Sequence, residues 1–227
     1  MNEGLRDRVR DFYRRYIPVG DRIGEMFYAT WMIVVSLGII NSVENSEELV
    51  PVAIAVAFGV NIGWGLIDGV SVMYSGVIDR ARTEQLIFEL QTKGDAQTRT
   101  KMQDALEEAL AGALSWEQKE HIISQVAEGA PRENPRNKQY YPQRADWYYA
   151  LGILAIDVAF VFPLIAPLVL IPDVHNAMLV SRLIATLIFA ALGAAYAQQL
   201  HRRRWLAALS LGILGLTVSS LAYFLGW

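Results

Sequence analysis

The stretch Asn61-Ile-Gly-Trp-Gly-Leu-Ile-Asp68-Gly-Val-Ser-Val-Met-Tyr-Ser75-Gly76 decides the fold, because it puts polar groups inside an apolar run that extends over residues 50–78. An ionisable side chain at membrane depth costs about 2.5–3.5 kcal/mol or more, so a chain that keeps one there usually needs it. One helical face would carry four small or polar residues, at i, i+4, i+7 and i+14: Asn61, Gly65, Asp68 and Ser75. The opposite face should meet lipid or an apolar neighbour: Ile62, Leu66, Ile67, Val70 and Tyr74.

Clustered apolar residues assign the chain to the membrane proteins. It has 227 residues, of which 53% are hydrophobic, and its mean hydropathy is +0.25. Five runs approach the roughly 20 residues that cross a bilayer as a helix: Met26–Val43, Val50–Ile78, Trp147–Leu170, Ala177–Gln198 and Trp205–Trp227. We therefore predict an all-α integral membrane protein with five transmembrane helices, and the charged first twenty residues give no sign of a cleavable signal peptide.

Basic residues alternate from loop to loop and predict the topology. They are dense before residue 24, between residues 79 and 146, and at His201-Arg-Arg-Arg204, but the loops at 44–48 and 171–176 have none. By the positive-inside rule, the N-terminus is cytoplasmic and the C-terminus lies outside. The predicted parts are a basic interfacial helix (1–24), transmembrane helices 1 and 2 (25–79), a helical cytoplasmic insert (80–145) and transmembrane helices 3–5 (146–227).

The predicted insert has clear helix signals. The second crossing continues past Asp79 to about Leu90 without a breaker, which predicts one long helix that ends at Gly94-Asp95. Thr98 or Thr100 is expected to cap the next helix. Ser115-Trp-Glu-Gln118 has the form of a capping box and predicts a third helix that runs to about Ala127.

The predicted membrane helices hold one candidate metal site. Its residues are Glu25 and Met32 on the first crossing, Asn61, Asp68 and Met73 on the second, and Asp157 on the third. Carboxylate and amide oxygens with a thioether suit Fe²⁺ or Mn²⁺, and a proton competes with the metal for a carboxylate in a low dielectric. Three structural alternatives stay open: Glu25 serves the helix dipole, Asn61 and Asp68 join helices by hydrogen bonds, and Asp157 pairs with Arg182.

The predicted insert holds a second candidate site. Glu117, Glu120 and His121 share one face of its last helix, and Asp104, Glu107 and Glu108 share a face of the helix before it. Two such faces could together supply oxygen and nitrogen ligands, although any one of these residues is more typical of a solvated acidic surface. The chain has no cysteine, no glycine-rich phosphate loop and no nucleophile–base arrangement, so we do not expect an enzyme.

Three features together resemble the vacuolar iron transporter family, and in particular its divergent bacterial members. They are Asp21-Arg-Ile-Gly-Glu25-Met at the first crossing, Asn61-Ile-Gly-Trp-Gly-Leu-Ile-Asp68-Gly in the second, and a helical insert before the third. The resemblance implies a homodimer in the bacterial inner membrane that moves Fe²⁺ or Mn²⁺ out of the cytoplasm in exchange for protons. It implies no permanently bound cofactor and no nucleic acid partner.

The resemblance also implies that the insert binds metal and feeds a pore between protomers. It assigns the family's glutamate role to Glu107, Glu108, Glu117 and Glu120. The chain departs from the family pattern in the insert, which lacks a methionine pair and carries His121, a residue without a counterpart in the family. It also carries its acid–glycine pair, Asp68-Gly69, on the second helix, whereas the family's acid lies chiefly on the first. Two other hypotheses remain: a metal sensor or scaffold that acts through the insert, and a carrier of Mg²⁺ that leaves Met32 and Met73 as packing residues.

Overall fold

A computed structural model describes residues 3–38, 46–110, 112–130 and 132–224. Throughout these residues the regular structure is helical. The elements in chain order are α1 (Glu3–Tyr16), α2 (Val19–Gly38), α3 (Ser46–Thr92), α4 (Ala96–Leu110), α5 (Trp116–Ala127), a 3₁₀ turn (Pro135–Asn137), α6 (Arg144–Leu170), α7 (Val174–Gln199) and α8 (Arg204–Phe224).

The chain forms two compact units. The first comprises Met1–Val72 and Arg144–Trp227, and the second comprises Met73–Gln143. Helix α3 is continuous over 47 residues and contributes to both units. The prediction of one long helix through Asp79 is therefore confirmed.

Four helices in the described part of the chain are long and apolar enough to cross a membrane. They span Val50–Thr92, Arg144–Leu170, Val174–Gln199 and Arg204–Leu221, and they confirm the predicted class of an all-α membrane protein. Helix α2 is not one of the four, because Asp21, Arg22 and Glu25 occupy its first two turns. The rest of the predicted first crossing, residues 39–43, lies outside the described residues, so the fifth crossing stays a prediction.

Small residues allow the helices of the first unit to pack closely. A Cβ added at Gly193 of α7 would overlap the Ala207 carbonyl of α8, and one at Gly215 would overlap the ring of Phe189. Ser181 of α7 donates a hydrogen bond of 2.7 Å to the Leu164 carbonyl of α6. The exposed face of α3 is the predicted one: Ile62, Leu66, Ile67, Val70 and Tyr74.

The chain turns sharply between α1 and α2. The predicted N-terminal segment 1–24 is divided between two helices, because α1 ends at Tyr16 and α2 begins at Val19. Ile17 at this corner is buried against Gly152 of α6, where any larger residue would collide with it. The aromatic rings of Phe12 and Tyr16 pack on Tyr148, so the corner is fixed to the start of α6.

The second unit has its own apolar core, made of Leu90, Met102 and Ile123. Gly94 ends the preceding helix with a positive φ of 60°. The expectation that Thr98 or Thr100 caps α4 is wrong, because the Asp95 carboxylate accepts the Thr98 N–H at 2.8 Å and this hydrogen bond lowers the pKa of Asp95. The capping box at Ser115 and Gln118 is confirmed.

Two side chains of α3 fasten the segment that follows α5. Gln91 donates to the carbonyls of Val126 and Ala130, and its own oxygen accepts the Arg132 N–H. Glu84 pairs with Lys138 at 3.0 Å, which raises the Lys138 pKa above its ordinary value.

Candidate functional site

Helices α3 and α6 approach each other at two glycines. A Cβ added at Gly65 would lie 3.1 Å from the Leu154 Cα, and one added at Gly69 would lie 3.1 Å from the Ala150 Cα. Glycines four residues apart are a common way for membrane helices to bring their backbones together. Since Gly65 meets Leu154 and Gly69 meets Ala150, α3 and α6 run antiparallel here.

Asp157 of α6 is held at this contact. A Cβ at Gly65 would lie 2.6 Å from its Oδ2 atom, so the carboxyl group would have to shift if Gly65 were replaced by a larger residue. Asp157 is 1% exposed, and neither of its carboxyl oxygens has a hydrogen-bond partner. The hydrogen-bonded Asp157–Arg182 pair that we left open is therefore not formed. A buried carboxylate without a partner is costly, and a proton or a bound cation relieves that cost.

Glu25 and Asp68 meet one turn away from Asp157 along α3. Their side chains are close enough for a hydrogen bond, and Asp157 and Asp21 both lie within electrostatic range of Glu25. Glu25 is 9% exposed, and its Oε2 atom has no partner. Two carboxyl groups can share a hydrogen bond only if one of them carries the proton, so this contact can store one proton.

Tyr149 and Asp21 lie where α2 and α6 begin. The Tyr149 hydroxyl donates to Asp21 Oδ2 at 2.6 Å, and its ring packs against the cluster of Ile17, Ile153 and Ile156. Tyr149 was not among the predicted site residues. The signal was available for Asp21, because it precedes Glu25 by four residues and therefore shares its helical face.

Asn61 extends this arrangement along α3 in the other direction. It is 1% exposed, its amide donates to the Ala57 carbonyl at 2.9 Å, and its Oδ1 atom has no partner. The polar side chains thus follow one another from the start of α2 and α6 toward Asn61. We call this series the polar file: Asp21, Tyr149, Glu25, Asp68, Asp157 and Asn61.

The two predicted sulfur ligands lie apart from the carboxyl pair along their helices. Met32 is half-buried and follows Glu25 by seven residues, which is about 10 Å along a helix. Met73 is buried and follows Asp68 by five residues on the continuous helix α3, a spacing that puts the two side chains on different faces of the helix. The donor atoms of the polar file are therefore all oxygens.

Two of the four glutamates in the predicted acidic site of the second unit are paired with bases. Helices α4 and α5 pack on each other through Met102 and Ile123. Beside this core, Lys119 forms an ion pair with Glu107, and Arg99 contacts Glu120 at 3.3 Å. One Glu120 oxygen remains buried without a partner. The other three predicted ligands are exposed: Glu108, Glu117 and His121.

Neither acidic region forms a closed metal site in the geometry described. Across residues 3–38, 46–110, 112–130 and 132–224, no three His, Cys, Asp or Glu side chains converge closely enough to hold a metal ion. The polar file nevertheless contains four carboxyl groups. Buried oxygen atoms of Glu25, Asp157 and Asn61 have no hydrogen-bond partner. These atoms can accept a proton from a donor or bind a cation.

A scan against protein-family models and a search of curated proteins found nothing that matches this chain.

Proposed function

We propose that the chain is a proton-coupled transporter of divalent transition metals, Fe²⁺ or Mn²⁺, which exports the ion from the cytoplasm. The observation that carries the proposal is that Glu25 and Asp68 lie within hydrogen-bonding reach of each other and that Asp157 lies within electrostatic range of both. The three residues belong to three different helices, in a unit rich in apolar helices. Ionisable side chains in such a position commonly mark ion pathways and proton relays.

The chemistry of the polar file supports exchange. In the arrangement described, Glu25 and Asp68 lie within hydrogen-bonding reach of each other, and neither carboxyl oxygen of Asp157 has a hydrogen-bond partner. A divalent cation that binds to these carboxylates replaces the protons they hold, because the cation and the proton need the same oxygen lone pairs. Proton uptake then releases the cation, and two protons balance the charge of one ion.

The direction and setting of transport rest on the sequence. The Lys and Arg distribution supports a cytoplasmic N-terminus and five crossings in a bacterial inner membrane. The resemblance to vacuolar iron transporters supports a homodimer. In this scheme Tyr149 and Asp21 lie at the cytoplasmic end of the polar file, where ions enter.

A second candidate function is transport of Mg²⁺. It is favoured by the donor set, because the polar file offers oxygen atoms and no sulfur. Mg²⁺ binds through one or two carboxylates and keeps several of its waters, so it needs no dedicated cage. Mn²⁺ also favours oxygen ligands, which makes it the preferred transition metal for this site.

Flux into proteoliposomes tests the proposal. Purified protein is reconstituted, and the uptake of Mn²⁺, Fe²⁺, Co²⁺ and Mg²⁺ is measured with and without a pH gradient. Asp68→Asn should abolish uptake, because the amide keeps the shape of the side chain but can neither bind a proton nor carry a negative charge. Asp173→Asn is the matched control, since Asp173 caps α7 through the Asn176 N–H and asparagine caps a helix equally well.

The outcomes separate the candidates. Uptake of Mn²⁺ that depends on the pH gradient and is lost only in Asp68→Asn supports the proposal. Uptake of Mg²⁺ alone favours the second candidate. Equal uptake by wild type and Asp68→Asn, or no flux of any ion, contradicts both, and no flux would fit a metal sensor or scaffold.

A further inference from the structure

An apolar groove opens between α2, α7 and α8. Its volume is about 560 Å³, which lies within the range of sites for small organic ligands. Its lining is almost entirely apolar, with residues from the start of α2, the end of α7 and the start of α8. The groove is separate from the polar file, since α2 turns Gly20, Gly24 and Phe27 toward it and Asp21 and Glu25 toward α3 and α6.

Two glycines of α2 keep the groove open. A Cβ added at Gly20 or Gly24 would meet no atom within 4 Å. The opposite wall is rigid, because α7 and α8 touch backbone to backbone at Gly193 and Ala207. Phe27 also lines the groove, and its ring packs on that of Phe189 of α7, with the centroids 4.9 Å apart.

The end of the groove near the turn between α7 and α8 is strongly basic. Arg202 lines it, and Arg203 and Arg204 follow in the turn between α7 and α8. In the described part of the chain no acidic side chain pairs with any of the three. They also precede or begin α8, where positive charge is unfavourable to the helix dipole. An anion at this position would relieve both effects.

The backbone of this turn is held in an uncommon conformation. His201 has a φ of 53°, which non-glycine residues seldom adopt. The N–H of Arg202 bonds the Ala197 carbonyl at 2.9 Å, so the turn closes the end of α7. This fixes the backbone of Arg202 at the rim, so its position does not depend on a mobile loop.

We propose that the groove binds one anionic phospholipid, with an acyl chain between α2 and α7–α8 and the phosphate group at Arg202. Exposed tyrosines on both sides, Tyr28 and Tyr196, suit the level of lipid headgroups. The occupant is available, since four helices of this chain are apolar enough to lie in a bilayer. A lipid matches both halves of the site, whereas a soluble anion would leave the apolar groove empty.

Lipid retention measured by native mass spectrometry tests the proposal, and it does not depend on whether the protein transports metal. The purified chain in detergent is titrated with dioleoylphosphatidylglycerol or dioleoylphosphatidylcholine. We expect one phosphatidylglycerol molecule per chain, with an affinity about tenfold or more higher than that of phosphatidylcholine. Each basic residue near an anionic headgroup raises the affinity about fivefold.

Two variants address the two halves of the site. Gly24→Leu adds a side chain to the wall of the groove, at a position where a Cβ meets no atom within 4 Å, and should abolish retention. Gly59→Leu is the matched control, because a Cβ at Gly59 also meets no atom within 4 Å but Gly59 lies on α3 outside the groove. Arg202→Gln should lower the affinity for phosphatidylglycerol about fivefold and leave the affinity for phosphatidylcholine unchanged. Circular dichroism checks that each variant is folded, and Gly20→Leu replaces Gly24→Leu if that variant is not.

Three results would overturn the proposal. The first is equal retention of the two lipids by the wild type. The second is wild-type retention of phosphatidylglycerol by both Gly24→Leu and Arg202→Gln. The third is a change of oligomeric mass in Gly24→Leu with lipid retention intact, since a second copy of the chain would then occupy the groove.

Discussion

The two acidic regions of this chain differ in how their charges are compensated. In the first unit, Asp157 is buried and neither of its carboxyl oxygens has a hydrogen-bond partner. Glu25 and Asp68 lie within hydrogen-bonding reach of each other, and both are acidic. In the second unit, Glu107 and Glu120 are paired with Lys119 and Arg99.

The difference teaches that the number of acidic residues does not identify an ion site. Ion pairs near the surface are mutually compensated and contribute little, typically up to about 1 kcal/mol. Uncompensated carboxyl groups in an apolar unit need a proton or a cation to be stable. The polar file is therefore the stronger candidate for an ion site.

The largest effect on stability is expected in the core of the second unit. Ile123 is fully buried, so Ile123→Ala should cost about 2–5 kcal/mol. Hydrogen exchange of peptides from α4 and α5 would show the loss of protection. If apolar packing holds this unit together, a chelator should leave the wild-type protection unchanged, whereas a loss of protection in chelator would mean that metal stabilises the unit.

A smaller effect is expected where α3 meets α6. Gly65→Ala puts a methyl group 2.6 Å from Asp157 Oδ2, and overpacking of this kind costs about 1–3 kcal/mol. Gly63→Ala, two residues away on the same helix, meets open space and should leave the melting temperature unchanged or raise it. Thermal unfolding in detergent measures both variants. Equal melting temperatures would show that the contact at Asp157 is loose.

Neutral substitutions can remove the two bases that pair with glutamates in the second unit, so that these glutamates become uncompensated like those of the polar file. Arg99→Gln with Lys119→Gln leaves Glu107 and Glu120 without their partners, at a cost of up to about 1 kcal/mol per exposed pair. The double variant should bind Mn²⁺ several-fold more tightly than wild type in a calorimetric titration. Unchanged affinity would mean that the ion pairs are not what keeps metal away from these glutamates.

The smallest effect concerns the cap of α4. The pKa of Asp95 is lowered by the Thr98 N–H, so the cap stabilises the folded state above the unfolded-state pKa, and this contribution is lost as the pH falls through the lowered folded-state pKa. Protection factors for residues 98–100 should decrease when the pH is lowered from 6 toward 3. Asp95→Asn caps without titrating, so its protection should not depend on pH over this range. Identical pH dependence in both proteins would contradict the assignment of the cap.

Sequence reasoning found the helices because apolar runs and capping signals are local. The continuity of α3, the break at Gly94 and the capping box at Ser115 all depend on neighbouring residues, and all three predictions agree with the structure. The cap of α4 was assigned to the wrong residue, although the aspartate that caps it stands just before the helix.

The candidate site was predicted only in part, because it depends on which helices meet. Asp68, Glu25, Asp157 and Asn61 were each identified by the cost of burying a polar group. The closeness of Glu25 to Asp68 and the place of Asp157 at Gly65 depend on helix packing, which no periodicity reports. The same holds for Lys119 with Glu107, twelve residues apart on different helices.

Manganese flux through two sets of variants tests the central claim most directly. One protein carries Asp157→Asn, and the other carries Glu107→Gln, Glu117→Gln and Glu120→Gln together. If the polar file binds the ion, Asp157→Asn should lose essentially all uptake into proteoliposomes, while the triple variant should keep at least about half of it, since paired surface acids contribute little. Full uptake by Asp157→Asn together with loss of uptake in the triple variant would contradict the account.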